Sequence, residues 1–266
     1  MLSYQKIIKE SPLVMGIINA TPDSFSDGGL FANIQDALKT ARLMVRQGAK
    51  IIDVGGESTR PGYQSVSADE ELSRILPIIS EMRNDNILIS VDTQKSEVAE
   101  QAIKAGACMI NNISSISNKE MTPLAAKLNC PLVITANRTN ADDMKEAVAD
   151  TISDLRNLTH FALQSGVKKE NIIIDIGLGF GKTAAQNLQL IKHLAAFREM
   201  GYPIMVGASR KNFIGIYTGE EKADLRLGGS LAAAIIAVQN GAAILRVHDV
   251  APTVQSLKFL RAIHDL

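Results

Sequence analysis

Leu13-Val14-Met15-Gly16-Ile17-Ile18 runs directly into Asn19-Ala20-Thr21-Pro22-Asp23-Ser24-Phe25-Ser26-Asp27-Gly28-Gly29. A short, continuous apolar run fits a strand buried on both faces. Pro, Gly, Asp and Ser at the density that follows can neither continue that strand nor start a long helix. The pair therefore reads as a buried strand with a polar loop at its C-terminal end. The loop holds Phe25 among an amide, hydroxyls and carboxylates, more chemistry than a connection requires. The plain alternative is a long turn in which Asp and Ser cap the backbone locally.

The same unit recurs along the chain. A helical face of Ile34, Ala37, Leu38, Ala41 and Met44 ends near Gly48. The strand Lys50-Ile51-Ile52-Asp53-Val54 and the loop Gly55-Gly56-Glu57-Ser58-Thr59-Arg60-Pro61-Gly62 come next, then a helix with Leu72, Ile75, Leu76 and Ile79 in register. Further strands are expected at 87–92, 108–112, 131–136, 172–176, 203–207 and 243–247. The helices expected between and after them span 96–106, 119–128, 142–166, 185–200, 227–241 and 253–265. Short apolar strands alternating with helices mean a parallel sheet covered by helices. Eight such units at this length predict an α/β fold of the closed (β/α)8 TIM-barrel type, a single domain over residues 1–266. An open doubly wound sheet is the runner-up.

Composition narrows the function classes. The 266 residues are 46% hydrophobic, and 28 Lys and Arg balance 28 Asp and Glu. Without a basic excess there is no sign of a nucleic-acid binder. No apolar run approaches the ~20 residues of a membrane span, and the start lacks a signal-peptide pattern. The two cysteines, Cys108 and Cys130, lie in apolar runs without metal-ligand spacing. They read as free thiols of a reducing compartment, so a cytoplasmic protein is expected.

In a barrel the C-terminal strand ends converge on one mouth, where the active sites of this fold lie. Those ends carry Asn19, Asp53 with Glu57, Asp92, Asn111 with Asn112, Asn137, Asp175, Ser209 to Lys211, and Arg246 with His248. One or two polar ends would be satisfied caps, but eight converging ones point to a ligand, because desolvated polar groups are costly without partners. Asp92, Asn111 and Asp175 suit a flat heterocycle with N–H donors and ring acceptors. Arg60, Lys182, Lys211, Arg246 and His248 bring positive charge to the rim and suit an anion such as phosphate. Each has a plainer reading: Asp92 as the cap of the next helix, Asp53 as a structural group inside the barrel. Gly177-Leu178-Gly179-Phe180-Gly181-Lys182-Thr183 is not a P-loop, since that pattern needs glycine at position 176, which is Ile. Its glycines fit a tight strand-end turn or close backbone approach of a ligand.

The segments 19–29 and 53–62 closely resemble the two signature segments of the dihydropteroate synthase family. Val91-Asp92-Thr93, Ile110-Asn111, Asp175 with Gly177 to Lys182, Ser209-Arg210-Lys211 and Arg246-Val247-His248-Asp249 follow in the family's order. The resemblance spans essentially the whole chain. It implies a transferase of folate biosynthesis that joins 4-aminobenzoate to 6-hydroxymethyl-7,8-dihydropterin diphosphate, releasing diphosphate. Asp92, Asn111, Asp175 and Lys211 would bind the pterin, with Arg246 stacked on it. Thr59, Arg60, Arg246 and His248 would hold the diphosphate, and Asn19 would be the protein ligand of a Mg²⁺ carried on it. Phe25, Pro61, Phe180, Ser209 and Lys211 would form the aminobenzoate site. Asp23, Arg60 and Lys211 would serve catalysis. The resemblance also implies a homodimer and a sulfonamide target.

One stretch departs from the family pattern. Where the family commonly has Met-His-Met on the fifth strand, this chain has Thr135-Ala136-Asn137. An amide thus replaces an apolar wall of the pterin pocket. Two other readings follow: a pterin-dependent methyltransferase barrel, and a degenerate paralogue that binds a pterin without turnover. The methyltransferase has no need of Thr59-Arg60 or Arg246-Val247-His248.

Overall fold

A computed structural model describes residues 3–21, 29–57, 65–85, 87–114, 119–138 and 144–265, with the backbone alone for 29–33. Eight parallel strands close in sequence order: β1 (Leu13–Asn19), β2 (Ile51–Gly55), β3 (Leu88–Asp92), β4 (Met109–Asn112), β5 (Leu132–Thr135), β6 (Ile172–Asp175), β7 (Ile204–Val206) and β8 (Ala242–Val247). β1 pairs with β8 through Leu13↔Ile244 and Met15↔Arg246, which seals the barrel. The closed barrel expected from the repeat is present, and the open sheet is excluded.

The helices are α1 (Tyr4–Ile7), α2 (Gly29–Arg46), α3 (Ala68–Met82), α4 (Ser96–Ala105), α5 (Met121–Leu128), α6 (Ala147–Gln164), α7 (Ala184–Lys192), α8 (Asn212–Thr218), α9 (Leu227–Gln239) and α10 (Val250–His264). α3 shows why such helices form and where they pack. Ser67 caps it by accepting from Glu70 N at 3.2 Å. Ile75, Ile78, Ile79 and Met82 are fully buried at helical spacing, each contributing about 1.5–3 kcal/mol. Two helices are not expected from the sequence, α1 and α8. α6 starts later than 142, because Glu146 is extended and its N–H donates to Asp150 Oδ2 at 3.0 Å. The expected helix 185–200 divides into α7 and a 3-10 segment, Leu194–Met200.

Strand alternation sorts the barrel interior into layers. The lower layer is apolar: Leu13, Met15, Ile51, Leu88, Met109, Val133, Ile173, Met205 and Ile244 pack with Tyr4 and Ile7 of α1, which closes the bottom. Two residues further along the same strands, the inward positions become Asp53, Ser90, Asn111, Asp175 and Arg246. The interior thus changes from hydrocarbon to charge within one layer. The floor offers these polar groups no partner, so they answer to each other and to whatever enters from above.

Candidate active site

The centre of the mouth is one guanidinium between two carboxylates. Arg246 on β8 donates from Nε to Asp53 Oδ2 at 2.6 Å and from a terminal nitrogen to Asp92 Oδ2. Asn111 Nδ2 donates to the same Asp53 oxygen at 2.9 Å. Among the described residues, Asp53 Oδ1, Asp92 Oδ1 and Asn111 Oδ1 are buried without a hydrogen-bond partner. Each such acceptor costs about 1–3 kcal/mol. Asp92 Oδ1 and Asn111 Oδ1, over an apolar floor, are placed for incoming N–H donors, with Asp53 deeper in the barrel.

Burial dominates the electrostatics. It raises the Asp92 carboxyl to about 7, against the pull of Arg246 and with the help of Asp53. Asp175 is also raised by burial, opposed by Lys211. Burial works to deprotonate Arg246, but Asp53 and Asp92 outweigh it and hold its pKa above the ordinary guanidinium value. Lys211 is pulled down to about 8 by burial, although Asp175 favours its charge. A carboxyl near 7 and an ammonium near 8 in one buried mouth are the pattern of a functional site.

Lys211 joins the buried carboxylates to a second wall. Its ammonium donates to the Leu178 carbonyl and lies 4.3 Å from the centroid of Phe180. Both partners sit on the β6–α7 loop, which turns through positive φ at Gly177, Gly179 and Gly181. A Cβ on Gly177 would meet the Ala136 carbonyl at 2.1 Å, so only glycine fits this strand-end turn. Lys182, expected at the rim as a cation for an anion, points instead into this loop. It donates to the carbonyls of Ala136, Gly177 and Phe180 at 2.7, 2.9 and 3.1 Å. An ammonium with three donors finds three acceptors there, which makes Lys182 a brace rather than a ligand group.

On the neighbouring rim, after β7 and β8, Ser209 Oγ lies 3.1 Å from His248 Nδ1, and His248 N donates to Ser209 Oγ at 3.2 Å. Arg210 turns outward in a bidentate pair with Asp249, at 2.9 and 2.6 Å. Arg210 has a φ of 60°, a left-handed backbone conformation uncommon outside glycine. Asn19 ends β1 opposite Gly55.

Asp92, Asn111, Asp175, Lys211 and Arg246 are thus brought together, with Phe180, Ser209 and His248 at the edge. Asn112 belongs elsewhere: its Oδ1 accepts from Ser114 N at 3.0 Å and from Ser114 Oγ, a local turn. Asn137 Nδ2 donates to the Ile113 carbonyl at 2.8 Å and ties the ends of β5 and β4. Asp53, read from the sequence only as a strand-end or structural group, is fully buried at the centre of the network. Its inward position between apolar neighbours is the signal the sequence offers. Asp23 and Phe25 in the first loop, and Thr59, Arg60 and Pro61 in the second, lie outside the described residues. The described ends of the second loop are clamped: Glu57 accepts from Val66 N at 3.0 Å and from Lys95 Nζ at 2.6 Å, and Lys95 also holds Glu71 at 2.6 Å.

Comparison with known proteins agrees with this geometry. Residues 15–248 match the family described as "Pterin binding enzyme". A dihydropteroate synthase from Clostridium beijerinckii is 47% identical over 246 residues, 91% of this chain and 91% of its own. The structure of Xanthomonas albilineans dihydropteroate synthase with 4-aminobenzoic acid superposes with a TM-score of 0.93 at 41% identity, covering 96% of this chain and 94% of that one. The same enzyme in complex with 7,8-dihydropteroate gives 0.90 at 38% identity, with coverage of 96% and 94%.

Proposed function

The chain belongs to the pterin-binding enzymes and, among them, to the dihydropteroate synthases, and on that footing we propose how its mouth divides the work. The reaction is the condensation of 6-hydroxymethyl-7,8-dihydropterin diphosphate with 4-aminobenzoate, giving 7,8-dihydropteroate and diphosphate for folate synthesis. The observation that carries the assignment of residues is the pair of unpartnered acceptors at Asp92 and Asn111 above an apolar floor.

Asp92, Asn111 and Asp175 take the N–H edge of the pterin, with Lys211 donating to a ring acceptor. A carboxylate accepts two adjacent N–H groups together, and Asn111 presents its oxygen because its NH₂ is committed to Asp53. Arg246 and His248, with Thr59 and Arg60 of the second loop, bind the diphosphate. Phe180, Ser209 and Lys211, with Phe25 and Pro61 of the two loops, bind 4-aminobenzoate, and sulfonamides compete there.

The pterin methylene–oxygen bond breaks toward a cation delocalised into an electron-rich ring, and the pair of electrons leaves with the diphosphate. Arg60, Arg246 and His248 stabilise the departing charge, and Asp23 stabilises the cation. The aryl amine is neutral at pH 7 and needs no activating base. It attacks the methylene carbon and then loses its proton. Exclusion of water from the mouth keeps the cation from being trapped.

Among the described residues no three His, Cys, Asp or Glu side chains gather to hold a metal. A Mg²⁺ would instead be held through few protein ligands, substrate phosphates and water, with Asn19 at the end of β1 as the protein ligand that the family resemblance implies. Bound there, it would neutralise charge on the diphosphate.

We further infer a homodimer. Ile216 and Tyr217 of α8, Leu227 and Ile236 of α9, and Phe259 and Ile263 of α10 are exposed on neighbouring helices. α9 is apolar nearly all round, which fits a helix covered on both sides. Among the described residues no helix is long and apolar enough to cross a membrane. Free Cys108 and Cys130 fit a cytoplasmic site of action. The whole reaction is assigned to this one barrel, residues 1–266.

The test combines purified protein, pterin diphosphate, 4-aminobenzoate and Mg²⁺, with dihydropteroate as the expected product. Asp175→Ala should abolish pterin diphosphate binding by calorimetry. Diphosphate release without dihydropteroate, or unchanged affinity in the variant, refutes the assignment.

A further inference from the structure

We propose that Asp53 is a positioning residue, the pivot on which Arg246 turns when a pterin takes Asp92 from it. The inference rests on the pterin reading above. Arg246 spans two carboxylates, Asp53 through Nε and Asp92 through a terminal nitrogen. The 2-amino-pyrimidinone edge of a pterin is itself guanidine-like, with parallel N–H groups on one carbon. A bidentate contact uses both Asp92 oxygens, so an incoming ring that takes the carboxylate in this way competes with the terminal nitrogen of Arg246 for Oδ2 and displaces it.

Asp53 stands outside that exchange. The strand register sets Asp92 level with Gly55 and Asp53 level with Ser90, two residues deeper in the barrel, or about 6–7 Å. Asp53 is fully buried, and its Oδ2 holds Arg246 Nε at 2.6 Å and Asn111 Nδ2 at 2.9 Å. A ligand at the level of Asp92 leaves both bonds intact. Arg246 is therefore released at its tip and retained at its root, and its tip swings toward the mouth. The same Asp53 oxygen fixes the Asn111 amide with its oxygen toward the ligand. One carboxylate that touches no substrate thus sets two groups that do.

The test is a double-mutant cycle of Asp53→Asn and Arg246→Lys, read as the dissociation constant of pterin diphosphate, the KM for each substrate and the melting temperature. Lysine keeps the charge but lacks the side-on Nε donor. Asp53→Asn is expected to weaken pterin diphosphate binding about tenfold or more, the loss of one charge-assisted bond, and to leave the aminobenzoate KM within about twofold. In the Arg246→Lys background the same change is expected to add less than about threefold, because the link is already cut. Effects that multiply in full overturn the pivot. So does an Asp53→Asn enzyme that binds pterin diphosphate as the parent does. A parallel rise in both KM values with a lowered melting temperature assigns Asp53 to the frame alone and also overturns it. If Asp53→Asn fails to fold, Asp53→Glu takes its place in the cycle, and the same outcomes decide. A parent protein that binds no pterin diphosphate refutes the pterin reading itself, before the cycle begins.

Discussion

Lys182→Met removes an ammonium and keeps its stem, so the change isolates the brace beneath the β6–α7 loop. Two terms oppose each other. Burial has lowered the Lys182 pKa from 10.5 to about 8, so deleting the buried charge returns about 3 kcal/mol. Against this, the carbonyls of Ala136 and Phe180 lose their donor, while that of Gly177 keeps Phe180 N at 3.2 Å. Two part-buried acceptors without partners cost about 1–3 kcal/mol each. The loss prevails by about 1 kcal/mol, a fall in Tm of about 2–4 °C for a chain of this size. The functional effect should be one-sided. Phe180 and the Leu178 carbonyl, which hold Lys211, sit on the freed loop. The aminobenzoate KM should therefore rise about fivefold to tenfold, the equivalent of about 1 kcal/mol, and that for pterin diphosphate less than about threefold. Scanning calorimetry and steady-state kinetics read both. A variant that melts with the parent and keeps its aminobenzoate KM would refute the brace.

Binding of an unphosphorylated pterin, followed by fluorescence, should be bell-shaped in pH. Asp92 has its pKa raised to about 7 and is faced by Arg246, Asp53, Glu71 and Lys211, so its acceptor is lost as pH falls through 7. Lys211 has its pKa lowered to about 8, so its charge is lost as pH rises through 8. A flat affinity between about pH 5.5 and 9 contradicts both roles. Asn137→Ala should lower Tm by about 2–4 °C through the freed Ile113 carbonyl and leave product formation within a few fold. A tenfold loss of activity at an unchanged Tm would instead put Asn137 against the substrate.

The barrel is legible in the sequence because each strand is a closed apolar run ending in polar residues, a pattern that survives errors of a residue at either end. α1 is not, since Tyr4–Ile7 is too short for helical periodicity. α8 is not, since Asn212–Thr218 contains Gly215, whose Cβ would meet the Glu220 carbonyl at 2.4 Å. Asp92, Asn111 and Asp175 are legible as strand ends. The Arg246–Asp53 pair is not, because partners 193 positions apart meet only through the register of β8 on β1 and β1 on β2. Lys182 misleads for a physical reason: an ammonium satisfied by carbonyls looks, in sequence, like one awaiting an anion. The fifth strand's departure resolves in the same way, since the Asn137 amide is used by the chain itself.

The clamp at Glu57 also bears on how such an enzyme can change. Glu57 and Val66 are fixed to one another, and Lys95 and Glu71 fix both to the barrel wall. The stretch between them starts and finishes at a single anchored point. The ends of β2 and α3 are thus held by the anchor itself, whatever the sequence of the stretch between them.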